Sequence, residues 1–473
     1  MRTVVASVLA VMVGATAAGV AAPVVAAGAA GRTPAGPTIV LHGATRDGVG
    51  PGFVGLTLEA ADLGAAYLDP ARSNLPSLLD ELGSGNLRIG GQTSDLSVAW
   101  LDSPTDPLPS WATSSATPDD LTAVGGIAHD SGWSVDLGVN LLEFDPATAA
   151  DEVRSATTAL GSSLRAVEFG NEPDLYFYFE SFLTDPPGGV PTTFPAWLAN
   201  WNAYAAAVRA SSPGVTVNGP DFYLTSWLAD VTKKTSAPLA DFTQHFYPLE
   251  DCGGAVLSPS QLLDPSSFTT EDQLVGKALQ AAKAGHHPLV LDEFNSISCG
   301  STSPAAWEFA SSLWAVHALL DAAADGVASV NVQMNPGNCS SYTPLCVPDP
   351  GSPGTLEPRP IFEGMQLVSG LEGGTFLHST VKAVDPLPTG VSQYAVRLPD
   401  GRVDVVVDNT TSAAVTGLSL NLDAGASLVG TEVLAAPSLT STIGVTLTSA
   451  PASGAPTGLT VAPDTAEVFT LAP

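Results

Sequence analysis

The stretch VEFGNEPDLY, residues 167–176, decides the fold of this chain. Its first three residues combine β-branched, acidic and aromatic side chains, a mixture typical of a buried β-strand. A glycine follows, and Pro173 prevents the strand from continuing as a central one. Asn171 and Glu172 are therefore predicted to lie at the C-terminal end of a strand. Parallel barrels and open α/β sheets carry their catalytic residues at that end.

A second stretch, PLVLDEFNS at residues 288–296, has the same character and ends in Asp292 and Glu293. If the fold brings the two strand ends together, Glu172 and Glu293 form the carboxyl pair that glycosidic bond hydrolysis requires. Glu172 could instead be an acid at a helix N-terminus, and Glu293 a satisfied buried acid. We favour catalysis for both and assign a structural role to Asp292, because only one of two adjacent side chains can point into a barrel mouth.

Short apolar strands alternate with longer helical stretches from residue 53 onward, which predicts a (β/α)8 TIM barrel. The predicted strands are 53–59, 86–91, 134–140, 166–172, 215–221, 241–248, 288–294 and 327–334. Each carries a polar residue at or just beyond its C-terminal end, as a barrel with its site on that face should. These residues are Glu59, Gln92, Asn140, Glu172, Asp221, Tyr247, Glu293 and Gln333.

The two ends of the chain differ from the predicted barrel in amino-acid composition and pattern. Residues 1–29 combine an early arginine, an Ala/Gly-rich apolar run and small-residue cleavage sites, which predicts a signal peptide rather than a membrane anchor. We therefore expect a secreted protein with no membrane association after cleavage. Residues 53–363 form the predicted barrel, and 364–473 contain short β-branched strands typical of an antiparallel β-sandwich. Residues 30–52 are predicted to add an N-terminal strand to that sandwich.

Charge composition excludes several classes of partner. The chain has 16 Lys+Arg and 47 Asp+Glu, a net charge of −31 at pH 7. Nucleic acids need a basic surface, so no nucleic-acid partner is expected. The same charge argues against long contacts with a sulfated or otherwise polyanionic chain unless a local basic groove exists, and no Lys/Arg cluster in the sequence would form one.

Four cysteines remain in a chain that has the features of an exported protein. Cys339 and Cys346 flank a short loop whose length suits a local disulfide, which leaves Cys252 to pair with Cys299. The second bridge would tie two loops on one face of the barrel. A zinc site is not expected, because no CxxC or His pair with ligand spacing accompanies the cysteines.

The motifs VGLTLE, LRIGG, VEFGNEPD, QHFYP, DEFNSISCG and RPIFEGM occur in this order along the chain. Together they resemble glycoside hydrolase family 79, which contains β-glucuronidases and heparanases. NEP alone marks only the wider clan of retaining glycosidases built on barrels. The resemblance covers nearly the whole mature chain. It implies a retaining mechanism, with Glu172 as the acid/base and Glu293 as the nucleophile.

The residues around the pair suggest how a sugar is bound. Asn171 could donate a hydrogen bond to a sugar 2-hydroxyl, and Tyr247 could hold Glu293 ionised. His245 is either functional or a core histidine bonded to the backbone. The family resemblance adds candidates for sugar binding. These are Glu59 for hydroxyls, Cys299 and Gly300 for the sugar carboxylate through their backbone N–H groups, and Tyr342 through its hydroxyl. Gln92 and Gln333 complete the predicted substrate-binding set, although family 79 often has a small hydroxyl residue or Asn where Gln92 stands.

These observations predict a secreted, exo-acting β-glucuronidase of the retaining type, whose partner is a carbohydrate with a terminal uronic acid. The basic character that heparanases use for sulfated substrates is missing, which favours exo action. A retaining β-glycosidase for a neutral sugar is the alternative enzyme. A non-catalytic carbohydrate-binding protein on the same scaffold is the alternative from another class. No cofactor and no metal is expected, and Asp174 and Glu143 are interpreted as acids of the surface or rim.

Overall fold

An eight-stranded parallel sheet forms the larger part of the computed structural model, which describes residues 36–179, 189–300, 302–382, 385–422 and 426–472. The strands coincide with the predicted ones to within a few residues. Most of them are buried along their whole length, because helices cover the outside and side chains fill the inside. They are Val54–Glu59, Asn86–Gly90, Ser134–Val139, Leu164–Phe169, Gly219–Phe222, Phe242–Phe246, Leu289–Phe294 and Ser329–Gln333, and are called barrel strands one to eight in that order.

The eight strands follow one another around a closed barrel. Hydrogen bonding links strands one to four on one side and strands one, eight, seven, six and five on the other. Strands four and five close the ring, since the Val167 N–H donates to the Thr216 carbonyl at 3.0 Å and the Asn218 N–H donates to the Val167 carbonyl at 3.0 Å. The predicted (β/α)8 barrel is therefore confirmed. Its C-terminal strand ends converge on one face.

Helices connect the strands and have identifiable start and stop signals. Thr117 and Asp120 form a reciprocal capping box, and Asp264 caps the longest helix by accepting from the Ser266 N–H. Gly132 and His286 end these two helices in the left-handed conformation. The α-helices are Leu75–Glu81, Gln92–Leu96, Pro118–Ser131, Pro146–Leu160, Tyr176–Phe179, Phe194–Ser211, Leu228–Lys234, Pro259–Leu262, Pro265–Gly285, Ala310–Asp325 and Pro360–Ser369.

A second sheet of nine strands forms the β-sandwich, and the N-terminal strand Thr38–Val49 belongs to it, as predicted. That strand pairs antiparallel with Gly374–Val381 and parallel with Val415–Asn421, so the sheet is mixed rather than purely antiparallel. In hydrogen-bonded order the strands are Thr446–Gly454, Ser427–Ala435, Thr465–Ala472, Val403–Asn409, Val391–Arg397, Gly374–Val381, Thr38–Val49, Val415–Asn421 and Thr457–Val461.

The sandwich packs on the barrel through a strand that is buried on both faces. Val405 and Val407 point into the sandwich core, whereas Val406 joins the hydrophobic core of the barrel. The start of helix Ala310–Asp325 is also tied to the sandwich, because the Phe309 N–H donates to the Ser441 carbonyl at 2.8 Å. These contacts fix the helix that follows barrel strand seven.

The remaining strands are short pairs in the loops. They are Val98–Trp100 with Ser114–Ala116, Leu249–Glu250 with Ile297–Ser298, and Leu345–Cys346 with Glu357–Pro358. None of the helices in the described part of the chain is long and apolar enough to span a membrane. The predicted signal peptide, residues 1–29, lies outside the described residues.

Candidate active site

Two glutamates face each other where barrel strands four and seven end. Glu172 follows strand four in the left-handed conformation (φ 47°), and its N–H donates to the Asp221 carbonyl at 2.9 Å. Glu293 lies within strand seven and is 7% exposed, whereas Glu172 is 9% exposed. One carboxylate oxygen of each lies within 4.8 Å of the other and of a ring nitrogen of His245. Carboxyl groups about 5–5.5 Å apart are typical of retaining glycosidases, and wider pairs of inverting ones.

Arg88 lies beneath the pair and is fully buried. Its Nη1 donates to Glu293 Oε2 at 3.2 Å, its Nη2 to Asn171 Oδ1 at 3.0 Å, and its Nε to Glu168 Oε2 at 2.8 Å. The guanidinium therefore holds the Glu293 carboxyl group in place and fixes the orientation of the Asn171 amide, whose Nδ2 stays available as a donor. We did not predict Arg88. The available signal was a charged residue inside the apolar strand NLRIG, directly before two glycines.

The two glycines after Arg88 make room for this arrangement. A Cβ added at Gly90 would lie 3.3 Å from the guanidinium carbon, and one added at Gly91 would lie 2.5 Å from the Glu59 carboxyl carbon. Gly91 also has a φ of 69°, which side chains rarely adopt. Both charged side chains therefore depend on the LRIGG sequence.

Tyr247 and His245 contact the two glutamates from barrel strand six and its end. The Tyr247 hydroxyl donates to Glu293 Oε1 at 2.9 Å. His245 Nδ1 lies 3.1 Å from Glu172 Oε1 and 3.7 Å from Glu293 Oε2, so it is not a core histidine bonded to the backbone. Burial lowers the pKa of His245, but the charges of Glu293 and Asp292 raise it by more, to well above its usual value. The surrounding carboxylates therefore favour the protonated form of His245.

Two buried acids of the site have pKa values that are shifted in opposite directions, because their charged neighbours differ. Burial raises the pKa of Glu172, and the hydrogen bond from His245 offsets this only in part. Burial also raises the pKa of Asp292, but His245 and Arg88 lower it by more, to about 2. Asp292 thus stays ionised below the site, 3.3 Å from Arg88 Nε and 3.7 Å from His245 Nε2. The environment favours the protonated form of Glu172, as a general acid requires.

Asp95 organises the backbone around Asn171, and sequence reasoning missed it. Its carboxylate accepts from the Asn171 N–H at 2.7 Å, the Tyr176 hydroxyl at 2.6 Å and the Leu141 N–H at 2.8 Å. It connects the loops after strands three and four. No sequence signal distinguished Asp95 from the other acids of the chain.

Asp174 is buried rather than at the surface, so its interpretation as a surface or rim acid was wrong. Its two carboxylate oxygens accept from the Tyr223 N–H at 3.1 Å and the Leu224 N–H at 2.6 Å. Burial raises the pKa of Asp174 to about 7. Its side chain anchors the loop after strand five to the segment that carries Glu172. Glu143 is half-buried.

Glu59 lies at the edge of the site, at the end of strand one. It accepts from the Thr93 N–H at 2.9 Å, the Thr93 hydroxyl at 2.7 Å and Gln333 Nε2 at 3.2 Å. Burial and the charge of Glu293 raise the pKa of Glu59 to about 7. Gln92 is exposed at the start of its helix. In this segment it is Thr93, the residue after Gln92, that contacts Glu59. The role of Gln92 in substrate binding stays a prediction.

The loops after strands six, seven and eight are joined by covalent and hydrogen bonds. The structure contains both predicted disulfides, Cys252–Cys299 and Cys339–Cys346. Cys299 and Gly300 both have positive φ angles, 65° and 71°. The Tyr342 ring packs 6.1 Å from the Tyr247 ring, and the Ser341 hydroxyl donates to the Gly300 carbonyl at 3.3 Å. The predicted carboxylate-binding residues therefore lie on connected loops of one face.

Among the residues that the structure describes, two groups of side chains have the ligand types for a metal ion. Glu172, His245 and Glu293 form one group, and Asp221, His245 and Asp292 form the other. Arg88 lies 3.2 Å from Glu293 and 3.3 Å from Asp292, and its charge opposes a second cation at either place. The arrangement therefore fits acid–base and nucleophilic chemistry better than metal binding.

Comparison with solved structures finds glycoside hydrolases. A 4-O-α-L-rhamnosyl-β-D-glucuronidase from Fusarium oxysporum 12S, in complex with Rha-GlcA, has a TM-score of 0.74 at 20% identity and covers 92% of this chain and 100% of its own. A family 51 arabinofuranosidase from Xanthomonas axonopodis pv. citri has a TM-score of 0.67 at 14% identity, with coverage of 92% and 100%. An α-L-arabinofuranosidase from Thermotoga maritima, in complex with arabinose, has a TM-score of 0.65 at 14% identity, with coverage of 92% and 99%.

No family model matches the sequence, and no curated protein matches it. The structural likeness shows that the chain has the barrel-and-sandwich fold of glycoside hydrolases. Membership of family 79 stays a prediction.

Proposed function

We propose that this protein is a secreted retaining glycosidase that removes terminal β-linked glucuronic acid. The observation that carries the proposal is the approach of Glu172 and Glu293, whose nearest oxygens lie within 4.8 Å. Their different partners support different roles. Arg88 and Tyr247 donate to Glu293, which suits an ionised nucleophile, and the buried Glu172 suits a general acid.

The reaction would proceed in two displacements. The Glu293 carboxylate attacks the anomeric carbon while Glu172 protonates the departing oxygen, which gives a glycosyl-enzyme ester and the free aglycone. Water then attacks the anomeric carbon and gives its proton to Glu172, and the Glu293 carboxylate is released. Asn171 Nδ2, oriented by Arg88, donates to the 2-hydroxyl of the sugar, a contact that strengthens as the ring becomes oxocarbenium-like.

The choice of glucuronic acid is supported by the loop after strand seven. Among the described residues, Arg88 and His245 are the only cationic side chains at ion-pair distance from the two glutamates, and both already pair with carboxylates of the barrel. The sugar carboxylate would therefore be held by neutral donors, the N–H groups of Cys299 and Gly300 and the Tyr342 hydroxyl. The rhamnosyl-glucuronidase with a similar fold adds support for a uronic acid substrate.

A panel of aryl glycosides tests this proposal. We expect hydrolysis of the β-glucuronide to exceed that of the β-glucoside, β-galactoside, β-xyloside and α-arabinofuranoside by at least about 100-fold in kcat/KM. Proton NMR should show the β anomer of glucuronic acid as the first product. Preference for a neutral glycoside would contradict the substrate, and a first-formed α anomer would contradict the retaining mechanism.

A further inference from the structure

A cavity of about 440 Å³ opens beside the candidate active site. It lies among the loops after strands two and three, and neither Glu172 nor Glu293 lines it. Two of its wall residues, Ala60 and Ser94, directly follow Glu59 and Thr93 of the site edge. The cavity is therefore separate from the reacting carboxylates but adjoins the part of the site predicted to bind sugar hydroxyls.

The walls of this cavity are largely aromatic. Trp100 and Trp111 come from the loop between strands two and three, and Phe144 and Tyr204 line it as well. The Trp100 Nε1–H donates to Asp151 Oδ2 at 3.0 Å, which fixes the plane of the indole. Both tryptophans are partly exposed. Both rings offer flat apolar surfaces, and the fixed Trp100 ring does so at a low cost in side-chain entropy.

Glu152 contributes a carboxyl group that no described residue hydrogen-bonds. It lines the cavity and is 8% exposed. Burial raises the pKa of Glu152 to about 8. Near neutral pH the group is protonated and offers one O–H donor and one carbonyl acceptor. A buried carboxyl of this kind gains free energy from a ligand that satisfies it.

Two other features restrict the chemistry of the ligand. None of the described residues that line the cavity is Lys, Arg or His, and the titratable groups facing it besides Glu152 are Glu143, Asp145 and Tyr204. An anionic sugar would therefore be repelled. The Tyr204 oxygen accepts from the Asp145 N–H at 2.8 Å, so its hydroxyl proton remains available to a ligand.

We propose that this cavity is a second carbohydrate site, which binds a neutral sugar between Trp100, Trp111 and the Glu152 carboxyl. The apolar face of the sugar packs on the indole rings, and adjacent hydroxyls donate to and accept from Glu152. An ammonium ligand fits less well, because it would require Glu152 to be ionised and offers no acceptor for the Tyr204 hydroxyl. The inference does not depend on the reaction assigned to the two glutamates.

Saturation-transfer NMR with the full chain tests the proposal, with D-xylose, L-rhamnose and D-glucuronate as probes. At least one neutral sugar should bind in the millimolar range. Trp111→Ala and Glu152→Leu should each weaken its binding roughly tenfold. Glu152→Gln keeps a neutral donor and acceptor and should retain most of the affinity. Glu172→Gln, which alters the active site, should leave binding in the cavity unchanged, and D-glucuronate should not compete with the neutral sugar there.

Several outcomes would overturn the proposal. One is that no neutral sugar binds, or that binding is insensitive to both Trp111→Ala and Glu152→Leu while thermal unfolding shows that the variants are folded. Another is that Glu152→Gln is as damaging as Glu152→Leu. Benzylammonium is a further probe. If it binds in place of the sugars and Glu152→Gln abolishes its binding, the cavity is a cation site.

Discussion

Glu172 and Glu293 are similarly buried but have different neighbours, and this difference supports the different roles proposed for them. Glu293 receives hydrogen bonds from the Arg88 guanidinium and the Tyr247 hydroxyl. Glu172 has one close partner, His245 at 3.1 Å, and burial raises its pKa. Opposing environments of this kind are how two carboxyls of one site divide nucleophilic and acid–base work.

Alanine substitutions should separate the two roles. With a nitrophenyl glucuronide, Glu293→Ala should abolish turnover, because no glycosyl ester can form. Glu172→Ala should give a burst of nitrophenolate and then turnover slower by roughly 10²–10⁴-fold, since water lacks its base. Azide should restore the rate of Glu172→Ala and yield the β-glycosyl azide, measured by stopped-flow absorbance and NMR. The assignment would be contradicted if azide restored the activity of Glu293→Ala with a β product, or if azide restored the activity of neither variant.

At this scale the sequence identified the two glutamates that meet at the strand ends and the Tyr247 contact, but not Arg88, Asp95 or Thr93. Acids at the ends of buried strands can be recognised in the sequence, because burial of a carboxyl group costs free energy and is uncommon without a functional role. The partners of Arg88 belong to strands four and seven, far away in the sequence, so nothing local reveals that its charge is satisfied. Thr93 was missed in favour of its exposed neighbour Gln92, because the helix that starts there turns one side chain inward and the next outward.

The loops after strands six and seven act as one element. The Cys252–Cys299 disulfide joins them, and the Asp251 carboxylate accepts from the Thr302 N–H at 2.8 Å and the Ser303 N–H at 3.1 Å. Both loops could be predicted as neighbours, because adjacent strands of a parallel barrel end side by side. The Asp251 contacts could not be predicted, since they depend on the detailed course of the backbone.

Removal of this disulfide should affect binding of the sugar carboxylate more than folding. In the Cys252→Ala/Cys299→Ala double variant, Asp251 still anchors the second loop, so the melting temperature should change little. The N–H groups of Cys299 and Gly300 become less fixed, and KM for the aryl glucuronide should rise roughly tenfold. KM for the methyl ester of the same glucuronide should change much less. Equal increases for the acid and the ester would show that these amides do not bind the carboxylate.

The whole molecule is acidic, and many of its acids are buried. Burial raises the pKa of several carboxyls to about 7 or 8, namely those of Glu59, Glu152, Glu168, Asp174, Glu363 and Asp408. A carboxyl whose pKa is higher in the folded than in the unfolded state favours folding at low pH. This contribution is lost as the pH rises through the folded pKa, at about 1.4 kcal/mol per group and pH unit. Stability should therefore decrease between about pH 5 and pH 8.

Glu271 provides the clearest test of this pH dependence. It is 2% exposed, neither carboxylate oxygen has a hydrogen-bond partner among the described residues, and burial raises its pKa well above the usual value. Glu271→Gln should increase the free energy of unfolding by about 1–3 kcal/mol at pH 8 and by less at pH 5, measured by urea denaturation. The exposed Glu81→Gln serves as the control. An equal increase in the free energy of unfolding at pH 5 and pH 8 would contradict the raised pKa of Glu271 as its cause.

The overall architecture could be predicted because the same strand pattern recurs along the sequence. Eight apolar strands, each with a polar residue at or near its C-terminal end, admit few folds other than a barrel, and short β-branched strands predict a sandwich. The parallel pairing of Thr38–Val49 with Val415–Asn421 could not be predicted. That pairing depends on where the sandwich packs against helix Ala310–Asp325, and local patterns carry no information about such packing.

Glu293 is the proposed nucleophile of a retaining glucuronidase, and covalent trapping tests this role most directly. A 2-deoxy-2-fluoro-β-glucuronyl fluoride should inactivate the protein with one label per chain. The 2-fluorine slows both displacements, but the fluoride leaving group keeps formation of the glycosyl ester faster than its hydrolysis. Mass spectrometry of a peptic digest should locate the label on Glu293. Attachment to Glu172, Asp292 or any other residue, or hydrolysis of the reagent without a covalent intermediate, would contradict the account.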